Sequence, residues 1–310
     1  MSALRIGIEG VGKIAREQHI PAIRANGAYR LVATANGQPI AGAAHFPTMA
    51  AMLEADPGLD AVAICSPPQA HYVAARQALA HGKHVLLEKP PCETQAQLEE
   101  LAGLARSKGV TLFQTWHARH ADAVDTAATV LKDCAITQAR VEWKEDVDQC
   151  HPGQKWLWDD GGFGVFDAGI NALSILTTII PGVLWVRSAA LSIPENCRTP
   201  VAAEVILQSN HGARIEASFD FRHKGAPIWN MDFVTDRGAV KLGTYGSSLT
   251  VGGKLVPVAH GDGEYPVLYR RFAELAAEGR SEVDERPFRL LATILQIGVR
   301  TLVEPFHWSR

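Results

Sequence analysis

The chain has 310 residues, 47% of them hydrophobic and 20% charged, and a formal net charge of -3. That length allows two domains with cores of their own, and the near-neutral charge argues against a nucleic-acid or acidic-membrane partner. No apolar run is long enough to span a bilayer, and the five cysteines, with no Cys-x-x-Cys pair among them, point away from a disulfide framework and from a bound metal.

The first apolar run, at 4–8, leads directly into Gly10-Val11-Gly12-Lys13-Ile14-Ala15. This is the G-x-G-x-x-A spacing of a dinucleotide-binding turn, and it stands between a strand pattern and a helix pattern, as that turn requires. Gly10 permits the tight turn, Gly12 lets the backbone approach a pyrophosphate, and Ala15 lets helix and strand pack closely. Further strands are expected at 29–35, 61–65, 84–88 and 111–116. Helices are expected between them at 13–26 (interrupted near Pro21), 48–55, 69–81 and 94–108, with Gly82 and Gly109 at the C-caps. This alternation builds βαβ units on a parallel sheet.

After about residue 120 the rhythm changes. Helices are expected at 121–131 and within 161–180, and a long alternating strand at 137–147. More strands follow at 186–193, 202–208, 213–222, 228–235 and 239–242, joined by short turns, which gives a mostly antiparallel sheet. Helices at 267–278 and 287–303 close the chain. The expected architecture is an α/β Rossmann domain over 1–118, then an α+β substrate-binding and dimerisation domain over 119–310 built on a large, mostly antiparallel open sheet. The last helix is expected to pack back on the first domain.

Three segments carry chemistry. The second strand ends in Asn36-Gly37-Gln38, where NAD-selecting folds usually place an acid. The segment has no carboxylate to repel a 2′-phosphate and no arginine to clamp one. Dual use of NAD and NADP is therefore expected, with NAD favoured, because a phosphate without a cationic partner is costly to desolvate; a loop that contacts neither remains the alternative. The fourth buried strand ends in Glu88-Lys89-Pro90-Pro91, and ligands of open parallel sheets bind beyond the carboxyl ends of strands. Lys89 there is either a surface lysine or a cation that stabilises a developing alkoxide.

The third segment is Gly161-Gly162-Phe163-Gly164-Val165-Phe166-Asp167-Ala168-Gly169-Ile170-Asn171. Asp167 and Asn171 project from one face of an apolar helix, with Asp167 either capping that helix or working as a base. On the strand at 137–147, Glu145 falls on the apolar face with Ala139, Val141, Trp143 and Val147. It either meets a cation, binds a polar ligand, or marks the strand's emergence into water. His151 follows closely. Trp156, Trp158 and Trp229 are candidates to stack on a sugar or to fill core, and His71, His117 and His223 are weaker candidates.

The turn at 10–15, Ser66-Pro67-Pro68 with His71, Glu88-Lys89-Pro90 and the glycine-rich Asp167 segment together resemble the glucose–fructose oxidoreductase and inositol dehydrogenase (Gfo/Idh/MocA) family over nearly the whole chain. The resemblance implies coenzyme contacts at Gly10, Val11, Gly12, Lys13 and Ile14, and at Asn36 and Gly37. It extends them to Cys65, Ser66, Pro67, Pro68 and His71, and to Glu88 and Lys89. It also makes Lys89 an active-site lysine. Many members carry a histidine where this chain has Asn171.

Within the family, Trp143-Lys144-Glu145-Asp146-Val147, His151-Pro152-Gly153-Gln154 and the residues around Asp167 resemble the aldose 1-dehydrogenases of bacteria, which oxidise pyranoses such as D-galactose and L-arabinose at C1 to the lactone. Carried over, Asp167 is the general base, Lys89 lowers the hydroxyl pKa and keeps Asp167 ionised, and Asn171 orients the sugar. Glu145, His151 and Trp229 join the sugar site. Competing expectations are an inositol or polyol dehydrogenase, and a coenzyme-binding sensor without catalysis. A homodimer in the cytoplasm completes the expectation.

Overall fold

The computed structural model describes residues 3–55 and 58–308. The chain divides into two units, Met1–Trp116 with Asp262–Glu285, and His117–Gly261 with Arg286–Arg310.

The first unit carries six strands: β1 (Leu4–Val11), β2 (Tyr29–Gly37), β3 (Ala44–Phe46), β4 (Ala61–Ile64), β5 (His84–Leu87) and β6 (Leu112–Gln114). They pair in parallel in the order β3-β2-β1-β4-β5-β6. This is the Rossmann sheet expected from the alternation. The edge strand β3 was not expected, because three residues show no period. Both β1 and β2 run further than their apolar cores, so that Val11 pairs with Gly37 and the ladder reaches the glycine turn itself. The helix expected at 13–26 is two pieces, a π-helical turn Ala15–His19 and a helix Ile20–Ala25. Pro21, lacking an N–H, sits in the first turn of the second piece, directly after the π-helical turn, where it can donate no helical hydrogen bond. Helix Gln95–Lys108 begins with a Thr94–Gln97 capping box and ends on left-handed Gly109.

The penultimate helix, Glu264–Glu278, belongs to the first unit, and the last, Arg286–Ile297, to the second. Tyr265, Leu268, Tyr269, Phe272 and Leu275 recur at helical spacing and join Ile6, Ile8, Ala61 and Ala63 in one buried cluster. The Tyr29 hydroxyl donates to the Tyr269 carbonyl at 2.8 Å.

The second unit carries β7 (Ile136–Lys144), β8 (Leu184–Pro194), β9 (Ala202–Ser209), β10 (Arg214–Asp220), β11 (Ile228–Thr235), β12 (Gly238–Gly243), β13 (Ser248–Val251), β14 (Lys254–Val256) and β15 (Val299–Val303). Their order is β14-β13-β12-β11-β7-β10-β9-β8-β15. Only the β10–β7 and β15–β8 pairs among these are parallel. Helix Phe166–Ile179 is buried nearly all round, and Phe166 packs on Phe219 of β10 with ring centroids 5.3 Å apart.

Two expectations fail at chain breaks. The strand expected to reach Val147 stops at Lys144, and Val147 opens a short helix, Val147–Cys150. The closing helix, expected to run to 303, ends at Ile297, and the β-branched run after it is the edge strand β15. Gly298 makes that switch because a Cβ there would lie 2.6 Å from the Ile294 carbonyl oxygen and 2.8 Å from Leu191. No helix among the described residues is long and apolar enough to cross a membrane.

Two outcomes follow from this packing. Gly298→Ala should destabilise the fold by about 1–3 kcal/mol in chemical denaturation, the cost of overpacking. His84, at the start of β5, accepts at Nδ1 from the Thr111 N–H at 3.0 Å, and burial pushes its imidazole pKa down. The fold thus prefers the neutral ring: its stabilisation is complete above the unfolded value of about 6.5 and is lost as pH falls through the lowered folded value. Calorimetry should show the melting temperature dropping as pH falls below about 6.5, and His84→Asn should flatten part of that slope.

Candidate active site

The coenzyme segment is built at the carboxyl ends of β1, β2, β4 and β5. Gly10 has φ +84°, and a Cβ on it would lie 2.2 Å from the Ser66 amide nitrogen, so only glycine lets β1 turn beside β4. Gly12 has nothing within 4 Å of its missing Cβ. That open cradle of bare backbone fits a dinucleotide pyrophosphate. Val11 is buried in the core and Ile14 packs against it, so the turn offers backbone there, not side chains. Lys13 is exposed.

At the end of β2, Asn36 adopts φ 55° and Gly37 φ 75°, a left-handed corner that asparagine tolerates. The Asn36 amide donates to Glu9 Oε1 at 2.7 Å, and the Ser66 hydroxyl donates to Glu9 Oε2 at 2.5 Å. The segment 36–38 has no arginine of its own, but the turn after Gly12 delivers one: Arg16 donates to the Gln38 carbonyl at 3.3 Å.

After β4, Cys65 is buried, and burial, followed by Glu88 and Glu9, pushes its thiol pKa well up. His71 lies 2.6 Å by Nε2 from the Ser66 carbonyl and 2.9 Å by Nδ1 from the Pro90 carbonyl. It therefore ties the Ser66-Pro67-Pro68 loop to the loop that follows Lys89. Burial lowers its imidazole pKa, against smaller upward pulls from these carbonyls and from Glu88 and Glu9.

Glu88, expected at the coenzyme, instead has its carboxylate inside the unit. Oε1 lies 3.1 Å from His19 Nε2 and accepts from the Tyr265 hydroxyl at 3.1 Å, while Oε2 accepts from the Lys89 N–H at 2.9 Å. Glu88 thereby anchors the backbone of Lys89, whose bond to Pro90 is cis.

In the second unit a chain of polar groups runs from Trp229 to Asp167. Glu145, just past β7 and 4% exposed, accepts at Oε1 from Trp229 Nε1 at 2.8 Å, and its Oε2 lies 3.1 Å from His151 Nε2. His151 Nδ1 lies 3.7 Å from Asp167 Oδ2 and 3.3 Å from Gln154 Oε1. Asp167, 4% exposed, is inside the first turn of helix Phe166–Ile179, whose N-cap is Val165. One turn on, Asn171 has a buried Oδ1 with no hydrogen-bond partner.

Glu145 does not emerge into water: it is buried with Trp229 and His151 as its partners. Asp146 supports this arrangement from behind. It caps the Asp148 N–H at 3.1 Å and meets the Lys224 ammonium at 2.9 Å, which holds its carboxyl pKa below the usual range. The turn that presents His151 is thereby fixed.

An aromatic wall adjoins Glu145. Tyr245 packs on Trp143 (5.2 Å), Trp229 (5.1 Å) and His117 (6.4 Å). Trp158 belongs to packing: it meets Phe221, Phe306 and Trp308, and Phe221 in turn backs His151 at 5.2 Å. Trp156 is half-buried, and His223 makes a local contact with the Ala226 carbonyl at 2.8 Å. Sequence reasoning missed Glu9, Arg16, His19 and Tyr245. Glu9 carried a readable signal, a lone acid on a buried strand, whereas nothing local marks Tyr245. Among the described residues no group of three or more His, Cys, Asp or Glu side chains could hold a metal ion.

Known proteins are similar to this chain in sequence and fold. Residues 4–115 match the model of the oxidoreductase family with an NAD-binding Rossmann fold, GFO_IDH_MocA. Galactose 1-dehydrogenase of Pseudomonas fluorescens is 40% identical over 308 residues, 99% of this chain and 100% of that protein. The crystal structure of D-galactose-1-dehydrogenase from Rhizobium etli superposes with a TM-score of 0.93 at 44% identity, covering 99% of each chain. KijD10, a 3-ketoreductase from Actinomadura kijaniata crystallised with NADP and TDP-benzene, shares the fold at TM-score 0.86 and 20% identity over 97% of this chain and 99% of that one. The chain belongs to the Gfo/Idh/MocA family of oxidoreductases, with an NAD-binding Rossmann domain.

Proposed function

We propose that this enzyme oxidises an aldopyranose at C1 to the lactone with NAD or NADP, and that D-galactose is preferred to L-arabinose. The names of the relatives at 40% and 44% identity support the substrate. The observation that carries the chemistry is the buried Asp167 carboxylate, 3.7 Å from His151, with the unpartnered Asn171 oxygen one turn away.

Bound NAD(P) supplies the hydride acceptor, nicotinamide C4. Asp167 takes the proton of the C1 hydroxyl as the hydride leaves C1 with its electron pair, and the C1–O bond becomes the lactone carbonyl. His151 then carries the proton from Asp167 onward. Lys89, an ammonium on a backbone anchored by Glu88, lowers the pKa of the C1 hydroxyl. Asn171 accepts from a sugar hydroxyl at Oδ1 and does not act as a base. Glu145 receives a second hydroxyl beside its bond to Trp229, and the Trp229–Tyr245 wall covers an apolar face of the ring. In the first unit the Gly10–Gly12 backbone holds the pyrophosphate, Asn36 the adenosine ribose, and the Ser66–Pro68 loop the nicotinamide half.

The second unit is also the proposed dimerisation surface. Trp185 and Val234 stand exposed on strands of the nine-stranded sheet, and Val299 and Leu302 on its edge. Sedimentation should give twice the monomer mass, and a monomer at micromolar concentration would overturn this assignment.

Absorbance of the reduced nicotinamide should rise fastest with D-galactose, then L-arabinose, over D-glucose and myo-inositol. No turnover with any sugar would favour a coenzyme-binding sensor instead. Asp167→Asn should lower kcat by at least about 100-fold while the coenzyme dissociation constant stays within about twofold. Lost coenzyme binding would assign Asp167 a structural role.

A further inference from the structure

Glu9 is a charged residue in the interior of a parallel sheet, a position where charge is costly unless it is partnered. It is 2% exposed. Its register partners are Ala35 of β2 and Ile64 of β4, so it lies level with the last residue of β4 and two residues before the end of β2. Both of its oxygens are engaged there, by the Asn36 amide at 2.7 Å and the Ser66 hydroxyl at 2.5 Å.

A carboxylate only accepts hydrogen bonds. The Asn36 NH2 must therefore face Glu9, which leaves Oδ1 as the end of that side chain available to a ligand. A ribose 2′-hydroxyl donates to Oδ1. A 2′-phosphate monoester, mostly dianionic at neutral pH, replaces that hydroxyl donor with acceptor oxygens and would bring negative charge toward both Oδ1 and Glu9. We infer that Glu9 is a specificity-determining residue that selects NAD over NADP, supplying from β1 the negative charge that such folds usually place at the end of β2.

The opposing cation is Arg16, near Gln38. Arg16 is exposed, so water and salt screen it, with a Debye length of about 8 Å at physiological ionic strength. Glu9 is buried and is not screened in that way. Its influence already reaches the neighbouring Cys65 thiol, where it adds to burial and Glu88 in raising the pKa.

The inference rests on the coenzyme role proposed for the Gly10–Ala15 turn, and direct binding tests the two separately. Dissociation constants for NAD⁺ and NADP⁺ are measured by isothermal titration calorimetry, without sugar, on the wild type, Glu9→Gln and Ser66→Ala. The wild type should bind NAD⁺ at least tenfold more tightly than NADP⁺. Glu9→Gln, which removes the charge and frees the Asn36 amide to turn, should shrink that ratio at least fivefold, chiefly by tightening NADP⁺. Ser66→Ala loses one tether but keeps the charge, and should retain the ratio even if both affinities fall.

A wild type that favours NADP⁺ or binds both equally overturns the inference, whether or not the variants fold. A ratio unchanged in Glu9→Gln, or lost equally in Ser66→Ala, overturns it while leaving the dinucleotide site intact. Binding of neither dinucleotide by the wild type overturns this inference and the coenzyme reading together.

Discussion

The second unit's chemistry depends on one imidazole held between two buried carboxylates. His151 lies 3.1 Å from Glu145 and 3.7 Å from Asp167. Burying two acids near one another is unfavourable unless donors satisfy both. Here His151 Nε2 meets Glu145 while Nδ1 faces Gln154 Oε1 at 3.3 Å with Asp167 at 3.7 Å, and Trp229 supplies a further donor to Glu145. The sheet alternation puts Glu145 on the buried face, the all-round burial of helix Phe166–Ile179 puts Asp167 there, and the turn capped by Asp146 and braced by Lys224 delivers His151. Under the proposed mechanism, this arrangement would give a proton taken up by Asp167 a route away from the substrate.

The first unit uses buried acid differently. Glu88 meets His19, Tyr265 and the Lys89 backbone inside the unit, so it fixes the backbone that carries an ammonium. Glu9 sits under the turn that meets the coenzyme and orders the side chains on both sides of it. On the readings proposed above, one acid steadies a cation for the reaction, and the other shapes what the ribose end of the cofactor meets.

Much of this was legible in the residues. The glycine turn, the strand ending in Glu88-Lys89 and the Asp167–Asn171 pair lie where strand and helix periodicity put them, because local pattern and burial agree there. The misses share a physical cause, which is that their partners are distant in sequence. Arg16 reaches Gln38 only through the helical geometry after the glycine turn, and Tyr245 joins Trp143 and Trp229 only when the sheet forms. The helix at 264–278 belongs to the first unit because its aromatic face matches that core, which no local signal reports. The β15 strand was hidden because helix Arg286–Ile297 runs almost straight into it, with Gly298 the one residue between them.

Oxidation at C1 is tested most directly by following that hydrogen. D-galactose carrying deuterium at C1 is turned over with NAD⁺, and the reduced nicotinamide is analysed by mass spectrometry and NMR. Deuterium should appear at nicotinamide C4, with turnover slower than for unlabelled sugar. Reduced coenzyme free of label, with the deuterium still at C1 of the sugar product, would contradict hydride removal from the anomeric carbon.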